Sequence, residues 1–248
     1  MTPGTFEAEN IFILTGAGIS AESGIDTFRD KGGIWERNNI EDVATPEAFA
    51  KDPMRVHGFY NARRRALGAP DIQPNAAHKA LALLEERLPS RVLIVTQNID
   101  DLHERAGSRN LIHMHGELMK ARCTSCDDVK PQDGDLTIDS VCAHCQAKGA
   151  MRPHIVWFGE APFEQERTEQ ALHDCDLFIS IGTSGSVYPA AGFVHEVRMA
   201  GHAHTVDINL EPSLGESQFA ECRYGHASKI VPEFVAEILS GYLNIAPS

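Results

Sequence analysis

Four cysteines carry the strongest chemical signal in the chain. Cys123-Thr-Ser-Cys126 and Cys142-Ala-His-Cys145 are two C-x-x-C pairs separated by fifteen residues. That spacing suits a tetrahedral thiolate zinc site. Four thiolates fill the metal's shell and leave no position for a reacting water, so the zinc is structural. Cys175 and Cys222 lie outside the pattern and read as small apolar residues. From Gly116 to Arg152 there are five Lys and Arg against six Asp and Glu. This segment has no basic stripe with which to read nucleic acid.

The second signal is Thr15-Gly16-Ala17-Gly18-Ile19-Ser20, directly after the apolar run Ile11–Leu14. Glycines at a strand-to-helix turn let backbone amides approach a pyrophosphate. The next glycine is Gly24, so the dehydrogenase fingerprint G-x-G-x-x-G is absent, and no acidic residue ends a second strand at the distance that fingerprint requires. Nucleotide binding is indicated and ordinary hydride transfer is not. A third signal is Leu111-Ile112-His113-Met114-His115-Gly116-Glu117. Histidines at i and i+2 of an extended segment point to the same side, and either could act as a general base near neutral pH. Spacing alone does not choose between them. The fourth is Tyr60 with Arg63, which share a helix face at i, i+3. A phenol and a guanidinium make a carboxylate clamp, although Arg63-Arg64-Arg65 also fits a solvated arginine run.

These residues need elements to hold them. Short apolar runs at Ile11–Leu14, Val92–Val95, Ile155–Phe158, Leu177–Ile181 and Thr205–Ile208 suit buried strands of a parallel sheet. Helical patterns alternate with them. Asn75 caps a stripe of Leu81, Leu84 and Leu88, Ala190–Ala200 stops at Gly201, and Val235, Ile238, Leu239 and Tyr242 form a last stripe. The prediction is an α/β, Rossmann-like parallel-sheet domain with a smaller lobe made of a helical insertion and a zinc-binding insertion. Residues 1–28, 90–115 and 156–248 would form the sheet domain, and 29–89 with 116–155 the small lobe. Polar residues follow four strand ends: the glycine turn, Thr96-Gln97-Asn98-Ile99-Asp100, Gly182-Thr183-Ser184 and Asn209-Leu210-Glu211. Together they point to one crevice at the carboxyl edge of the sheet, where Asn209 or Glu211 could hold ribose hydroxyls.

Composition sets the outer limits. The 248 residues carry 22 Lys and Arg against 35 Asp and Glu, a net charge of −13. A chain this acidic is a poor general binder of nucleic acid. Hydrophobic residues make up 42% and charged residues 23%, ordinary values for a globular fold. Residues 1–10 do not read as a secretory signal and no apolar run has the length of a membrane helix. A reducing cytoplasm, no membrane partner and a monomer are the expectations.

Taken in order, these strings resemble the sirtuins, NAD-dependent protein-lysine deacylases. The resemblance rests on Gly16–Ser20, Thr27-Phe28-Arg29, Thr96–Asp100, His115-Gly116, the four cysteines, Val156-Trp-Phe-Gly-Glu160, Gly182–Ser184 and Asn209-Leu-Glu-Pro212. Within the family the chain is similar to compact bacterial members of the class that removes acetyl and acidic acyl groups. The resemblance implies that Gly16, Ala17, Gly18, Ser20, Gly182, Thr183 and Ser184 line the phosphates and nearby ribose. Phe28 and Arg29 would belong to a loop that closes over NAD. Asn209 and Glu211 would address the adenosine, with Ala227 near the adenine. Gln97, Asn98, Ile99 and Asp100 would hold the nicotinamide ribose and carboxamide, with Asn98 and Asp100 in catalytic roles. His115 would be the general base on a ribose hydroxyl. Tyr60 and Arg63 would bind an acyl carboxylate, and Val156, Phe158, Gly159 and Glu160 would pair with a substrate peptide as an added strand. NAD would be consumed, giving nicotinamide, free lysine and O-acyl-ADP-ribose, and the partners would be acylated lysine-containing proteins or peptides. A mono-ADP-ribosyltransferase and a non-enzymatic NAD or ADP-ribose sensor are the alternatives.

Overall fold

The computed structural model describes residues 8–27 and 39–241. Phe28, Arg29 and Tyr242 therefore lie outside the described residues. In chain order the strands are β1 (Ile11–Thr15), β2 (Val92–Thr96), β3 (Leu111–His113), β4 (Gly116–Cys123), β5 (Val129–Pro131), β6 (Met151–Ile155), β7 (Leu177–Ile181), β8 (His204–Asn209) and β9 (Glu221–Tyr224). The helices are α1 (Gly18–Ala21), α2 (Ile40–Val43), α3 (Pro46–Lys51), α4 (Pro53–Leu67), α5 (Ala76–Arg87), α6 (Leu102–Ala106), α7 (Gln165–Asp174), α8 (Phe193–Ala200) and α9 (Ala227–Ser240).

Every side chain of β1 and β7 is buried, which requires helices on both faces of the sheet. Alternation along the strands divides the core accordingly. Ile11, Ile13 and Ile179 pack with Leu81 and Leu84 of α5 and Phe234 of α9. Phe12, Leu14 and Phe178 pack on the other face with Phe193, Val194 and Val197 of α8. Phe12 stacks on Phe178 at 5.6 Å between centroids and meets Phe193 edge-on at 6.2 Å. All six strands of this sheet run parallel in the order β3-β2-β1-β7-β8-β9. The order reverses direction at β1 and β7, which is where open α/β sheets leave a crevice. Asn75 caps α5 as its pattern predicts, accepting from Ala77 N at 2.9 Å, and α8 stops at Gly201 with φ +76°.

The small lobe is built from α2–α4 and a second, antiparallel sheet in the order β5-β4-β6. Helix α4 joins the two insertions. Asn61 Nδ2 donates to Leu136 O at 2.8 Å and Asn61 Oδ1 accepts from Leu136 N at 2.9 Å. Arg64, only 2% exposed, donates to Leu118 O at 3.0 Å and to Asn61 Oδ1 at 2.9 Å. The reading of Arg63-Arg64-Arg65 as a solvated run therefore fails at Arg64, whose guanidinium satisfies main-chain carbonyls of the zinc insertion.

Three sequence expectations differ from the fold. Ile155–Phe158 is not a strand of the parallel sheet. Ile155 closes antiparallel β6, and Val156 N then donates to His115 O and Phe158 N to Ala44 O. The run is apolar because it lies between two lobes. The expected lobe boundary at 89 also divides the chain differently: α5 packs on the parallel sheet beside α9. Third, the extended segment expected over 111–117 is a strand only over Leu111–His113, and β9 falls outside the expected strands because four residues of mixed polarity at the sheet's edge lack a period.

Asn61→Ala removes both bonds to Leu136 and leaves the buried Arg64 without a side-chain acceptor. It is expected to destabilise the fold by about 2–4 kcal/mol in urea unfolding. A change below about 0.5 kcal/mol would show that α4 does not hold the zinc insertion.

Candidate active-site cleft and metal centre

The carboxyl ends of the parallel strands are laced together one residue beyond the sheet. Gln97 N donates to Thr15 O, Gly16 N to Ile181 O and Gly182 N to Ile208 O, each at 2.9 Å. Gly18 N donates to Gly182 O, also at 2.9 Å. This crossing has no space for side chains. A Cβ on Gly18 would sit 2.7 Å from Gly182 Cα, and one on Gly182, whose φ is +63°, would sit 2.4 Å from Ile19 N. The glycines are thus required by backbone packing as well as by any ligand. Helix α1, which follows the glycine turn, is a single turn.

Above this floor opens a cleft of about 910 Å³ between the sheet edge and the small lobe. Most of the predicted residues meet there. Gly16, Ala17 and Gly18 line it with Gln97, Asn98 and Ile99 from the loop after β2. Gly182, Thr183 and Ser184 follow β7, Asn209 and Glu211 follow β8, and Ala227 opens α9. His115, Tyr60, Val156, Phe158, Gly159 and Glu160 complete the small-lobe side. Ser20, Asp100 and Arg63 are not part of the cleft wall.

Ser20 and Asp100 lie beneath the floor, 1% and 7% exposed. Ser20 Oγ donates to Asp100 Oδ2 at 3.0 Å and accepts from Asn98 Nδ2 at 3.2 Å, while Asn98 Nδ2 also reaches Gly16 O at 3.1 Å. The network fastens the loop after β2 to the glycine turn. Burial pushes the Asp100 carboxyl up to about 6, against the Leu102 N–H and the Ser20 hydroxyl that favour its charge.

The two histidines part company because β3 ends at His113 and the chain turns. They do not share a side. His113 turns away from the cleft: its Nε2 lies 2.6 Å from Glu104 Oε1 and its Nδ1 3.2 Å from Asn98 O. Burial opposes its charge, but the Glu104 bond and the Glu117 charge outweigh burial and raise its pKa. His115 lines the cleft with Nδ1 3.2 Å from Gln97 O. That carbonyl can only accept, so Nδ1 carries the proton and Nε2 keeps a lone pair. Burial holds the His115 pKa below its ordinary value, offset in part by Gln97 O. Only His115 is set up as a neutral base.

On the small-lobe side, Tyr60 is 3% exposed and its hydroxyl accepts from Trp157 Nε1 at 3.0 Å. Arg63 is half-buried, with Cζ 3.4 Å over the Phe59 ring and Nη1 donating to Phe59 O at 3.1 Å. Its buried Nε has no hydrogen-bond partner among the described residues, and burial pushes its pKa down to about 10, so it stays charged. Glu160 does not present its carboxylate to a peptide. It accepts from Arg122 at 2.9 Å, from Arg152 at 2.7 Å and from Trp157 N at 2.8 Å. Since Val156 N and Phe158 N are already bonded, these two amide hydrogens are not free to pair with an added strand.

Sequence reading missed Trp157 and Asp207. Asp207 is fully buried in β8 and accepts from Ser213 Oγ at 2.8 Å and Asn209 Nδ2 at 3.4 Å. An acid inside an apolar strand was the available signal.

The four cysteine sulfurs all lie within 4.8 Å of one another, with Cys123–Cys145 at 3.6 Å and Cys126–Cys142 at 3.8 Å. A tetrahedron with Zn–S of about 2.3 Å has edges of about 3.8 Å, so the donor set fits zinc. Ser125 N donates to Cys123 Sγ at 3.4 Å, the kind of outer bond that steadies a thiolate ligand.

Comparison with known proteins agrees with this geometry. Residues 16–189 match the family model described as the Sir2 family. A Vibrio vulnificus protein named NAD-dependent protein deacylase is 59% identical over 235 residues, covering 95% of this chain and 96% of that one. A mutant Sir2 homologue in complex with ADP-ribose has a TM-score of 0.85 at 38% identity, covering 98% of this chain and 96% of its own. A Sir2 protein bound to a myristoylated histone peptide has a TM-score of 0.70 at 30% identity, covering 93% and 91%.

The purified protein is expected to carry one zinc per chain by elemental analysis. Cys142→Ser should lose most of it and lower Tm by about 5 °C or more, since metal binding contributes directly to folding. Retention of metal and Tm by this variant would exclude a four-thiolate site.

Proposed function

The chain belongs to the Sir2 family and is an NAD-dependent protein deacylase; we propose that it removes acidic succinyl and malonyl groups as well as acetyl groups from protein lysines. The products are nicotinamide, free lysine and O-acyl-ADP-ribose. The observation that carries the deacylase chemistry is His115, neutral by environment and with a free Nε2, at the wall of a cleft floored by the glycine crossing, and the acidic-acyl reading rests on Tyr60 and the charged Arg63 beside it. NAD, when bound, would supply the electrophilic anomeric carbon that the acyl oxygen attacks as nicotinamide leaves; the acyl group finishes on a ribose hydroxyl, and water completes the release of lysine.

The chain's own residues divide the remaining work. Gly16, Ala17, Gly18, Gly182, Thr183 and Ser184 form the phosphate side of the cleft. Asn209, Glu211 and Ala227 form the adenosine side. Asn98 and Gln97 hold the nicotinamide ribose and carboxamide. Ser20 and Asp100 act one layer down, fixing Asn98 and Gly16 through the bonds described above. His115 Nε2 takes a proton from a ribose hydroxyl while its Nδ1–H stays on Gln97 O, so the ring does not turn during transfer. Tyr60 and Arg63 recognise an acyl carboxylate. The support is Tyr60 at the cleft wall and the charged guanidinium of Arg63 one turn behind it. Phe28 and Arg29 remain assigned to the loop that covers NAD.

Substrates are acylated lysines of proteins, and the fit of the acidic chain to lysine-rich segments is electrostatic. No helix among the described residues is long and apolar enough to cross a membrane. A cytoplasmic monomer is the proposed setting. Free thiolates for zinc favour a reducing compartment, and this single chain supplies every residue assigned to the cleft.

Nicotinamide release should require both NAD and an acylated peptide, with succinyl- and acetyl-lysine peptides each supporting it. Label from NAD remaining on the protein would instead indicate ADP-ribosyl transfer. Arg63→Met should lower kcat/KM for the succinyl peptide about 10–100-fold and that for the acetyl peptide much less; equal losses would reject the clamp.

His115 must be unprotonated to act, and burial depresses its pKa. The acid limb of kcat/KM that reports this base is therefore expected below pH 6.5, with activity falling as pH drops. His115→Ala should lose about 10²–10⁴-fold in turnover and lose that limb. Full turnover in the alanine variant would remove the base from His115.

A further inference from the structure

Trp157 has one polar side-chain atom, and an indole N–H can only donate. It donates to the Tyr60 hydroxyl oxygen at 3.0 Å. The tryptophan is 2% exposed and fixed from three directions. The Arg152 guanidinium lies 3.3 Å over its ring, Phe49 packs against it at 5.3 Å, and its main-chain N–H donates to Glu160 Oε2 at 2.8 Å. Glu160 is in turn held by Arg152 and Arg122. The indole is therefore a rigid donor, not a side chain that turns to suit its neighbour.

A phenol oxygen can accept one hydrogen bond and donate another. With the indole on its accepting side, the Tyr60 hydrogen must point elsewhere, and the hydroxyl makes no second bond among the described residues. Tyr60 lines the cleft. Burial raises its pKa above the ordinary value, so the hydrogen stays on the oxygen.

We propose that Trp157 is a positioning residue for acyl selectivity: its indole N–H occupies the accepting side of Tyr60 and leaves the phenolic hydrogen to be donated to the carboxylate of an acidic acyl group. A neutral acetyl group offers no carboxylate and gains nothing from this polarity. The inference rests on the reading of Tyr60 and Arg63 as the acyl-carboxylate pair. It also gives Glu160 a role, through Trp157 and not through a peptide.

The test is a double-mutant cycle with Trp157→Phe, Tyr60→Phe and the double variant, each assayed on succinyl- and acetyl-lysine peptides. The ratio of the two kcat/KM values cancels any inactive fraction, because both substrates meet the same preparation. Trp157→Phe is expected to lower the succinyl-to-acetyl ratio about fivefold, through KM for the succinyl peptide, and Tyr60→Phe about tenfold or more. In the Tyr60→Phe background, Trp157→Phe should change the ratio no further, which a merely structural role would not produce. If Tyr60→Phe shifts the ratio and Trp157→Phe does not, or if the two effects add, this inference fails and the clamp stands. If Tyr60→Phe leaves the ratio unchanged, the clamp itself fails.

A measurement on the native chain covers poor folding of the variant. The two tryptophans, Trp157 and Trp35, give two indole N–H resonances, assigned with Trp35→Phe. Succinyl-lysine peptide should move the Trp157 signal more than acetyl-lysine peptide, because a phenol that donates to an anion accepts more strongly. Equal movement with both peptides overturns the proposal.

Discussion

The cleft depends on one close approach of backbone to backbone. The loop leaving β1 crosses the loop leaving β7 with Gly18 N on Gly182 O at 2.9 Å, and a methyl group on either glycine would meet main-chain atoms at 2.7 Å or less. The crossing lies where the strand order reverses, so it forms the floor of the crevice that such sheets open there. The hydrogen bonds that continue to Ile208 O on one side and Thr15 O on the other make the floor a single layer of backbone. Side chains of four different loops can then meet over it, each anchored within a residue or two of a buried strand. The same layer explains why Ser20 and Asp100 work from below: a hydrogen-bonded floor can be steadied by polar groups that no ligand touches.

Helix α4 performs the corresponding task for the small lobe. Neighbouring residues of one helix address both the cleft and the zinc insertion. Tyr60 faces the cleft, Asn61 and Arg64 bind main-chain groups of the zinc insertion, and Arg63 lies over Phe59. The zinc centre does no chemistry on the substrate, yet it sets the shape of the segment that Asn61 and Arg64 grip. From there a chain of contacts returns to the cleft through β6, Arg152, Glu160 and Trp157. The cysteine cluster and the small-lobe wall of the cleft are parts of one body.

His113 and His115 show how far environment outweighs residue type. They are two positions apart. One stands between a carboxylate and a carbonyl, both acceptors, and its pKa is raised. The other meets a carbonyl on one nitrogen and the cleft on the other, and burial keeps it neutral. A strand that ends at His113 instead of running on to Gly116 is enough to separate them. The sequence reading, which took both to face one way, assumed a longer strand than the turn allows.

What the sequence determined by itself was local. The C-x-x-C pairs define a zinc site because ligand spacing is a property of the chain, and the unbroken apolar runs define central strands because burial on both faces leaves no polar positions. Glycine at the turn was legible for the same reason, although its cause is the crossing with Gly182 as much as any phosphate. Only tertiary structure decided the rest. The edge strand β9 is too short to carry a period. Ile155–Phe158 has a strand's composition because it lies between two lobes. Asp100, Glu160 and Trp157 acquire their roles from groups far away in the chain: Ser20 for the first, Arg122 for the second and Tyr60 for the third. Hydrogen-bond polarity and proton affinity depend on which atoms stand opposite, and that is set by packing across the lobes rather than by the order of residues.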